Sequence, residues 1–186
     1  MRDLIAVGGA TVPIPDPDRL VHLQFRRFAG CPICNLHLRE IVRRYDEIEA
    51  AGVREVVVFH SPESELAEYD LPFAVIPDPA KRLYVEFGVQ ASPRALLHPG
   101  VYLPLARAVL RGTAAVLRGR EAGPATHQAG GRLGLPADFL IAPDGRTVAR
   151  KYGRHAYDQW SVDELLGLVA ATDTADRPRR SGGRPG

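Results

Sequence analysis

The chain alternates between segments with the hydrophobic spacing of strands and segments with that of helices. Residues 20–25 alternate apolar and polar side chains, which predicts a strand after the proline-rich turn at 13–17. Residues 32–51 place apolar side chains at helical spacing, and Gly52 is expected to end this helix. The continuous apolar run within residues 53–59 is typical of a strand buried on both faces. A strand, a helix and a second buried strand in this order predict an α/β fold.

The C-terminal half continues this alternation. Its predicted elements are a strand at 73–76, a helix from 79 to 87, a loop at 121–134, strands at 139–142 and 147–152, and a helix from 161 to about 171. The segment 143–146 (Pro-Asp-Gly-Arg) is a turn sequence between two strand-like segments and predicts a β-hairpin. Ser161 and Glu164 have the spacing of a capping box at the start of the last helix.

Composition and charge narrow the class of protein. Of 186 residues, 45% are hydrophobic and 25% are charged, as in an average folded domain. The formal net charge is +2, and the segment 173–186 carries an excess of arginine, so the rest of the chain is close to neutral. Because no basic stripe with interleaved aromatic residues is present, we expect no nucleic-acid partner. We predict one domain over residues 1–172 and a disordered tail over 173–186.

The sequence also carries an expectation about location. No apolar run approaches the roughly 18–20 residues that a membrane span requires, so integral membrane association is not expected. The short apolar stretch at 4–12 lacks the length and the cleavage site of a secretory signal. The expected location is therefore the cytoplasm.

Cys31 and Cys34 are the residues with the clearest chemistry. They form a Cys-Pro-Ile-Cys motif directly after a predicted strand and in the first turn of a predicted helix. The N–H groups and the partial positive charge of a helix N-terminus stabilise a thiolate. Arg26 and Arg27 precede the motif and add positive potential, and Pro32 suits the first helical position. The pattern predicts a redox-active dithiol, with Cys31 as the exposed nucleophile and Cys34 closing a disulfide with it.

A metal site is an alternative for the same cysteines. Two thiols supply half of a four-ligand zinc site. His37 follows Cys34 by three residues, and His22 or His60 could approach in space. The chain has no second Cys-x-x-Cys motif, and Asn35 stands where haem attachment needs a histidine. We therefore expect no metal and no cofactor, and keep a redox-inactive or metal-binding module as a hypothesis from another class.

The strand at 20–25, the Cys-Pro-Ile-Cys helix start and the segment 134–141 resemble the thioredoxin fold. The resemblance implies a three-layer α/β fold in which helices flank a central mixed β-sheet. It also implies that Pro136 is a cis-proline facing the cysteines, and that the backbone of Leu135 is a docking edge for substrate. The implied catalytic residues are Cys31, Cys34 and Pro136, and the implied substrate-binding residues are Leu135, Arg27 and Phe28.

Residues 73–88 resemble peroxiredoxins of the alkyl hydroperoxide reductase/thiol-specific antioxidant superfamily, and most of all its peroxiredoxin-like branch with a Cys-x-x-Cys motif. The similarity extends over about residues 20–170. Peroxiredoxins place Pro-x-x-x-Thr-x-x-Cys around the reactive cysteine. Counted back from Cys31, the threonine position holds Phe28 and the proline position holds Gln24. Counted back from Cys34, these positions hold Cys31 and Arg27, so the motif leaves open which cysteine attacks. The strand at 137–142 also lacks the arginine that the family supplies. The candidates to replace that arginine in space are Arg26, Arg27 and Arg94.

Residues 98–131 are longer than the thioredoxin fold requires and predict a helical insertion before the strand of the cis-proline. Apolar side chains from 103 to 117 follow helical spacing, with arginines among the polar positions. We expect this helix to pack on its own domain. A surface for a partner or for a homodimer, and a helix at a membrane surface, are the alternatives.

The residues leave three functions open. In the first, the protein is a thiol–disulfide oxidoreductase whose Cys31 thiolate attacks a protein disulfide and whose Cys34 resolves the mixed disulfide. In the second, it reduces a small hydroperoxide, with Cys31 oxidised to a sulfenic acid and Cys34 condensing with it. Both require an external thiol reductant. The third is the redox-inactive or metal-binding module.

Overall fold

The computed structural model of the protein describes residues 2–89, 102–103, 106–107 and 134–176. The strands are β1 (Arg2–Ile5), β2 (Thr11–Ile14), β3 (Leu20–Phe25), β4 (Val53–Phe59), β5 (Ala74–Pro77), β6 (Ala137–Ile141) and β7 (Thr147–Tyr152). The helices are α1 (Pro32–Arg43), α2 (Tyr45–Ala50), α3 (Glu63–Leu66), α4 (Arg82–Glu86) and α5 (Val162–Asp176). The predicted strands from β3 to β7 are present in the predicted order, whereas the single helix predicted over 32–51 is divided into α1 and α2, and α3 was not predicted.

A five-stranded mixed sheet organises the molecule, in the order β5-β4-β3-β6-β7. β3, β4 and β5 are parallel, whereas β6 runs antiparallel to β3 and β7 antiparallel to β6. β1 and β2 form a separate antiparallel hairpin. The predicted three-layer α/β architecture with a central mixed sheet is therefore confirmed.

Apolar side chains fill both faces of this sheet. One cluster holds the buried side chains of α1, α2 and α5, including Ile33, Ile48 and Leu165. The other cluster joins the opposite face of β3 and β4 to α4 and to the β1–β2 hairpin. Since each sheet face is covered, the carboxyl end of β3 and the helix that follows it are held in a fixed position.

The polar side of β3 is buried against side chains from the neighbouring strands. His22, Gln24 and Arg26 alternate with apolar residues, and each is fully buried. Asp138 Oδ1 on β6 lies 2.8 Å from Arg26 Nη2 and 3.4 Å from His22 Nε2. Glu55 Oε1 on β4 lies 2.9 Å from His22 Nδ1. These opposite charges form one buried network beneath α1, in which each charged group has a partner of opposite charge.

The network determines the charge of its members. Burial lowers the pKa of His22, but Glu55 and Asp138 outweigh burial and raise it to about 9. Burial raises the pKa of Asp138, but Arg26 and His22 outweigh it and hold the pKa well below its ordinary range. His22 is therefore a cation and Asp138 an anion at neutral pH.

The N-terminal helix of the sheet domain is interrupted, where the sequence predicts one helix over 32–51. α1 ends at Arg43, and Arg44 takes a non-helical conformation (φ −114°, ψ 19°) before α2 begins. The Arg44 guanidinium lies 2.8 Å from Glu47 and 2.6 Å from Asp163 on α5. These contacts accompany the break, and Gly52 follows α2 with φ +73°, as expected.

The C-terminal helix begins as predicted and runs further than predicted. The Ser161 amide donates to Glu164 Oε2 at 2.7 Å, and the Glu164 amide donates to Ser161 Oγ at 3.2 Å, which confirms the capping box. α5 continues to Asp176, so the prediction of a disordered tail from 173 is wrong for 173–176. The capped start and the buried side chains of Leu165 and Val169 let the helix propagate beyond residue 171.

Most of the predicted insertion lies outside the described residues, as does the tail from 177 onward. Within the insertion, residues 102–103 and 106–107 are helical. Tyr102 and Leu103 are exposed there. Among the described residues, no helix is long and apolar enough to cross a bilayer.

Candidate active site

Cys31 stands at the junction of β3 and α1, as the sequence predicts. It is the N-cap of α1 in an extended conformation (φ −63°, ψ 114°), and Pro32 begins the helix. The Asn35 amide donates to the Cys31 carbonyl at 2.9 Å, closing the first turn. This turn places both sulfurs of the motif at the N-terminal end of the helix dipole.

The loop before Cys31 is anchored by side chains that sequence reasoning missed. The Gly30 amide donates to the Tyr69 hydroxyl at 2.7 Å, and that hydroxyl donates to Asn35 Oδ1 at 2.9 Å. The Ala29 amide donates to Ser61 Oγ at 3.0 Å. Tyr69 and Ser61 follow β4 in the chain, and no motif in the sequence marks them. They hold the loop against α1 and so fix the position of Cys31.

Both cysteines are free thiols inside the protein. Cys31 is 0% exposed and Cys34 is 2% exposed. The expectation that Cys31 is an exposed nucleophile is therefore wrong. The helix cap directs its sulfur inward, toward Cys34 and the Arg27 side chain, rather than toward solvent.

The surroundings of Cys31 favour the thiolate. Burial raises its pKa, but the Cys34 thiol, which donates a hydrogen bond, and the Arg27 guanidinium lower it. The amides of Cys34 and Ile33 add to this effect without forming a regular side-chain cap. The result is a pKa of about 6. The thiolate is therefore the favoured form of Cys31 at neutral pH.

The surroundings of Cys34 have the opposite effect. Burial raises the pKa of Cys34, and the neighbouring Cys31 raises it further, both as hydrogen-bond acceptor and as a negative charge. Cys34 is therefore the protonated partner of the pair. One sulfur is ready to attack, and the other keeps its proton until the first has reacted.

Arg27 is the cation of the site. Its Nη1 donates to Cys31 Sγ at 3.7 Å, and its guanidinium lies 5.2 Å from the centroid of the Phe28 ring. Arg27 and Phe28 are both buried. The structure thus brings these two predicted residues to Cys31. Arg26 turns away, because its guanidinium pairs with Asp138 in the network beneath α1.

His60 is a further buried residue at this edge of the sheet, directly after β4. Its amide donates to the Arg27 carbonyl at 3.1 Å. The imidazole is packed near Phe28 and Tyr84, with ring centroids 6.3 Å and 5.7 Å away. Burial lowers the pKa of His60 to about 4, and Lys81 and Arg27 contribute in the same direction. The ring is therefore neutral at physiological pH.

Solved structures with the same fold include both peroxide-reducing and disulfide-exchanging proteins. A cysteine-to-serine mutant of peroxiredoxin 6 from Arenicola marina is 15% identical, with a TM-score of 0.63 over 94% of this chain and 71% of that one. The peroxidoxin BcpB from Mycobacterium tuberculosis is 14% identical, with a TM-score of 0.62 over 91% and 92%. A putative thiol:disulfide interchange protein DsbE from Chlorobium tepidum is 17% identical, with a TM-score of 0.54 over 91% of each chain. These similarities establish the thioredoxin-like peroxiredoxin fold.

The comparison with curated proteins finds no match. The sequence model of AhpC/TSA antioxidant enzymes matches residues 40–155, which is more than half of the chain. This chain belongs to the AhpC/TSA antioxidant enzyme family. The suspected superfamily is thereby confirmed, and the protein is an oxidoreductase that acts by thiol–disulfide exchange or by peroxide reduction.

The peptide bond before Pro136 corrects one expectation for this AhpC/TSA protein. The cis X–Pro bond of the described residues is Ile14–Pro15, and the Leu135–Pro136 bond is trans, so the prediction of a cis-proline at 136 is wrong. Trans is the default isomer. In this arrangement the Pro136 carbonyl accepts the Gly153 amide at 2.8 Å, which extends the pairing of β6 with β7. The half-buried Leu135 precedes it.

The histidines of the described residues do not form a metal site with the cysteines of this AhpC/TSA protein. Among the described residues, no group of three or more His, Cys, Asp or Glu side chains could hold a metal ion. His22 is held by Glu55 and Asp138. His37 lies buried among the charges of the same network, and burial lowers its pKa well below the ordinary value.

Replacing Arg27 tests the electrostatics of the AhpC/TSA site. Arg27→Met removes the positive charge next to Cys31 and should raise the pKa of Cys31 by about 1–2, as expected for an opposite charge at this distance. The thiolate fraction at pH 7 should fall accordingly. The measurement is the ultraviolet absorbance of the thiolate as a function of pH. Arg27→Lys keeps the charge and should stay closer to the parent protein, whereas an unchanged midpoint in Arg27→Met would contradict this assignment.

Proposed function

We propose that this protein reduces a small hydroperoxide through a dithiol–disulfide cycle, with Cys31 as the attacking thiolate and Cys34 as the resolving thiol. The burial of Cys31 is the observation that carries the proposal. Attack on a protein disulfide needs a nucleophilic sulfur that a second macromolecule can approach in line with its S–S bond. A hydroperoxide is a few atoms across and reaches a buried sulfur through small side-chain movements.

The charge around Cys31 suits the first step. The Cys31 thiolate attacks the terminal oxygen of ROOH, so that an S–O bond forms and the O–O bond breaks. Cys31 becomes a sulfenic acid, and the alkoxide that leaves takes a proton from water. Arg27, at 3.7 Å from Cys31 Sγ, stabilises the thiolate and faces the negative charge that develops on the departing oxygen.

Oxidation of Cys31 removes the two interactions that keep Cys34 protonated. Cys31 raises the pKa of Cys34 by its negative charge and by accepting the Cys34 proton in a hydrogen bond. Both effects end when Cys31 becomes a neutral sulfenic acid, so Cys34 then ionises more easily. Its thiolate attacks the Cys31 sulfur, an S–S bond forms, and hydroxide leaves and is protonated to water. Two equivalents of an external thiol reduce this disulfide and are oxidised to a disulfide themselves.

The experiment compares two oxidants on the reduced protein. Single-turnover loss of thiols is followed with an alkyl hydroperoxide and, separately, with insulin as the disulfide. We expect a second-order rate constant at least about tenfold larger for the hydroperoxide, because the disulfide cannot reach Cys31 Sγ.

Disulfide exchange is the second candidate function. The Cys-x-x-Cys motif at the start of α1 favours it, since this spacing closes a disulfide within one helical turn. Faster oxidation by insulin than by the hydroperoxide would select this function and contradict the first.

A further inference from the structure

Both ring nitrogens of His60 are buried and make no hydrogen bond within the described part of the chain. His60 is 1% exposed, so the ring is shielded from bulk solvent. A buried polar atom without a partner is costly, and such groups in folded proteins are rare. A buried imidazole with two unpaired nitrogens is therefore suited to a polar ligand that enters the site.

His60 and Arg27 both lie against the backbone of Gly134. A Cβ atom placed on Gly134 would lie 3.3 Å from His60 Nε2 and 3.6 Å from Arg27 Cγ. The ring and the arginine side chain thus converge on the backbone of Gly134, which lies so close to the imidazole that a side chain there would press on Nε2. The Arg27 guanidinium continues from this point to Cys31 Sγ.

The neighbours of the His60 ring are aromatic. Phe28 lies against both the Arg27 guanidinium and the His60 ring, and Tyr84 packs on the other side of the ring. The Tyr84 hydroxyl is already used, because it donates to the Val58 carbonyl at 3.0 Å. Among these neighbours, His60 is the side chain with both donor and acceptor capacity to offer.

We propose that His60 binds the oxygen atoms of the hydroperoxide and polarises its O–O bond. Peroxiredoxins have a threonine hydroxyl near the reactive cysteine, and this chain has Phe28 at that position. The inference rests on the proposed hydroperoxide reduction. A neutral imidazole has one N–H donor and one acceptor nitrogen. Either the hydroperoxide O–H donates to the acceptor nitrogen, or a hydroperoxide oxygen accepts from the N–H. Arg27 contacts the part of the hydroperoxide that faces Cys31. The bonds that form and break are those of the attack by Cys31 described under the proposed function. The alkoxide forms next to the His60 N–H and the Arg27 guanidinium.

The test compares two reactions of Cys31 in the same variant. His60→Phe removes both nitrogens and keeps a ring of similar size. We expect the rate constant for oxidation by an alkyl hydroperoxide to fall about 100-fold, as for loss of one donor to a developing oxyanion. The rate constant for alkylation of Cys31 by iodoacetamide should stay within about twofold, because it reports thiolate content and access rather than oxygen binding. His60→Gln retains a donor and an acceptor and should recover most of the hydroperoxide rate.

Gly134→Ala provides a second variant in which His60 itself is unchanged. The added methyl group would lie 3.3 Å from Nε2 and displace the imidazole, so the hydroperoxide rate should fall several-fold while alkylation is preserved. Melting temperatures show that each variant is folded. An equal fall of both rates in His60→Phe, or no fall in either, would overturn the proposal in favour of a packing role or of a bound water. If the parent protein itself fails to react with hydroperoxides, the proposed function fails, and this inference falls with it.

Discussion

Serine in place of Cys31 should lower the rate of hydroperoxide reduction by about 1,000-fold or more. The Arg27 guanidinium and the helix start stabilise a thiolate at Cys31. A serine hydroxyl does not ionise near neutral pH, so the variant retains the site without its nucleophile. The measurement is thiol-dependent consumption of an alkyl hydroperoxide by purified protein.

Cys34→Ser is the matched control for this prediction. Its hydroxyl can still donate a hydrogen bond to the Cys31 thiolate, so the pKa of Cys31 should remain low. We expect one turnover at nearly the parent rate, followed by accumulation of a sulfenic acid at Cys31 that reacts with dimedone. Equal loss of the first turnover in both variants would contradict the assigned roles.

The second large effect concerns stability. Asp138→Asn should destabilise the protein by about 3–5 kcal/mol, because it leaves buried charges without their partner. Asp138 Oδ1 lies 2.8 Å from Arg26 Nη2 and 3.4 Å from His22 Nε2. Its Oδ2 accepts the Trp160 amide at 3.1 Å. Urea unfolding followed by the fluorescence of the single tryptophan, Trp160, measures the effect.

Asp144→Asn is the matched control, since it makes the same chemical change in an exposed turn. Asp144 and its partner Arg146 are both exposed, with 3.7 Å between Oδ2 and Nε. The free energy of unfolding should change by less than about 0.5 kcal/mol. The network assignment is contradicted if the variant at 138 is as mild as the one at 144.

The sequence predicts the elements around the site because each carries a local signal. The Pro-Asp-Gly-Arg turn at 143–146 separates β6 from β7, and the Ser161–Glu164 box opens α5. The Cys-Pro-Ile-Cys motif marks the start of α1, because proline suits the first helical position and cysteine can occupy the cap. These signals depend on neighbours within a few residues, which the sequence shows directly.

Features that depend on residues far apart in the chain cannot be predicted from local sequence signals. The alternation at 20–25 predicts β3, but not that Glu55 and Asp138 from two other strands cover its polar side. The inward direction of the Cys31 sulfur depends on Arg27 and on the loop anchors Ser61 and Tyr69. The motif predicts an exposed nucleophile and the resemblance implies a cis-proline, but Cys31 is buried and the Leu135–Pro136 bond is trans.

The pairing of β1 with β2 was also missed. These strands have four residues each, which is too short for a clear alternation of apolar and polar side chains. Gly8 and Gly9, both with positive φ, form the turn between them. The hairpin covers one face of the sheet through Leu4, Val12 and Ile14.

The redox couple itself is tested most directly by the mass of one peptide. Trypsin cleavage after Arg27 and Arg39 releases residues 28–39, which contain both cysteines of the chain. The reduced protein is treated with one equivalent of an alkyl hydroperoxide, and free thiols are then alkylated. We predict a peptide about 2 Da lighter than the dithiol form, with no alkyl group and with both thiols regained on reduction. An oxygen adduct on one cysteine with the other alkylated, or a disulfide between two chains, would contradict the account.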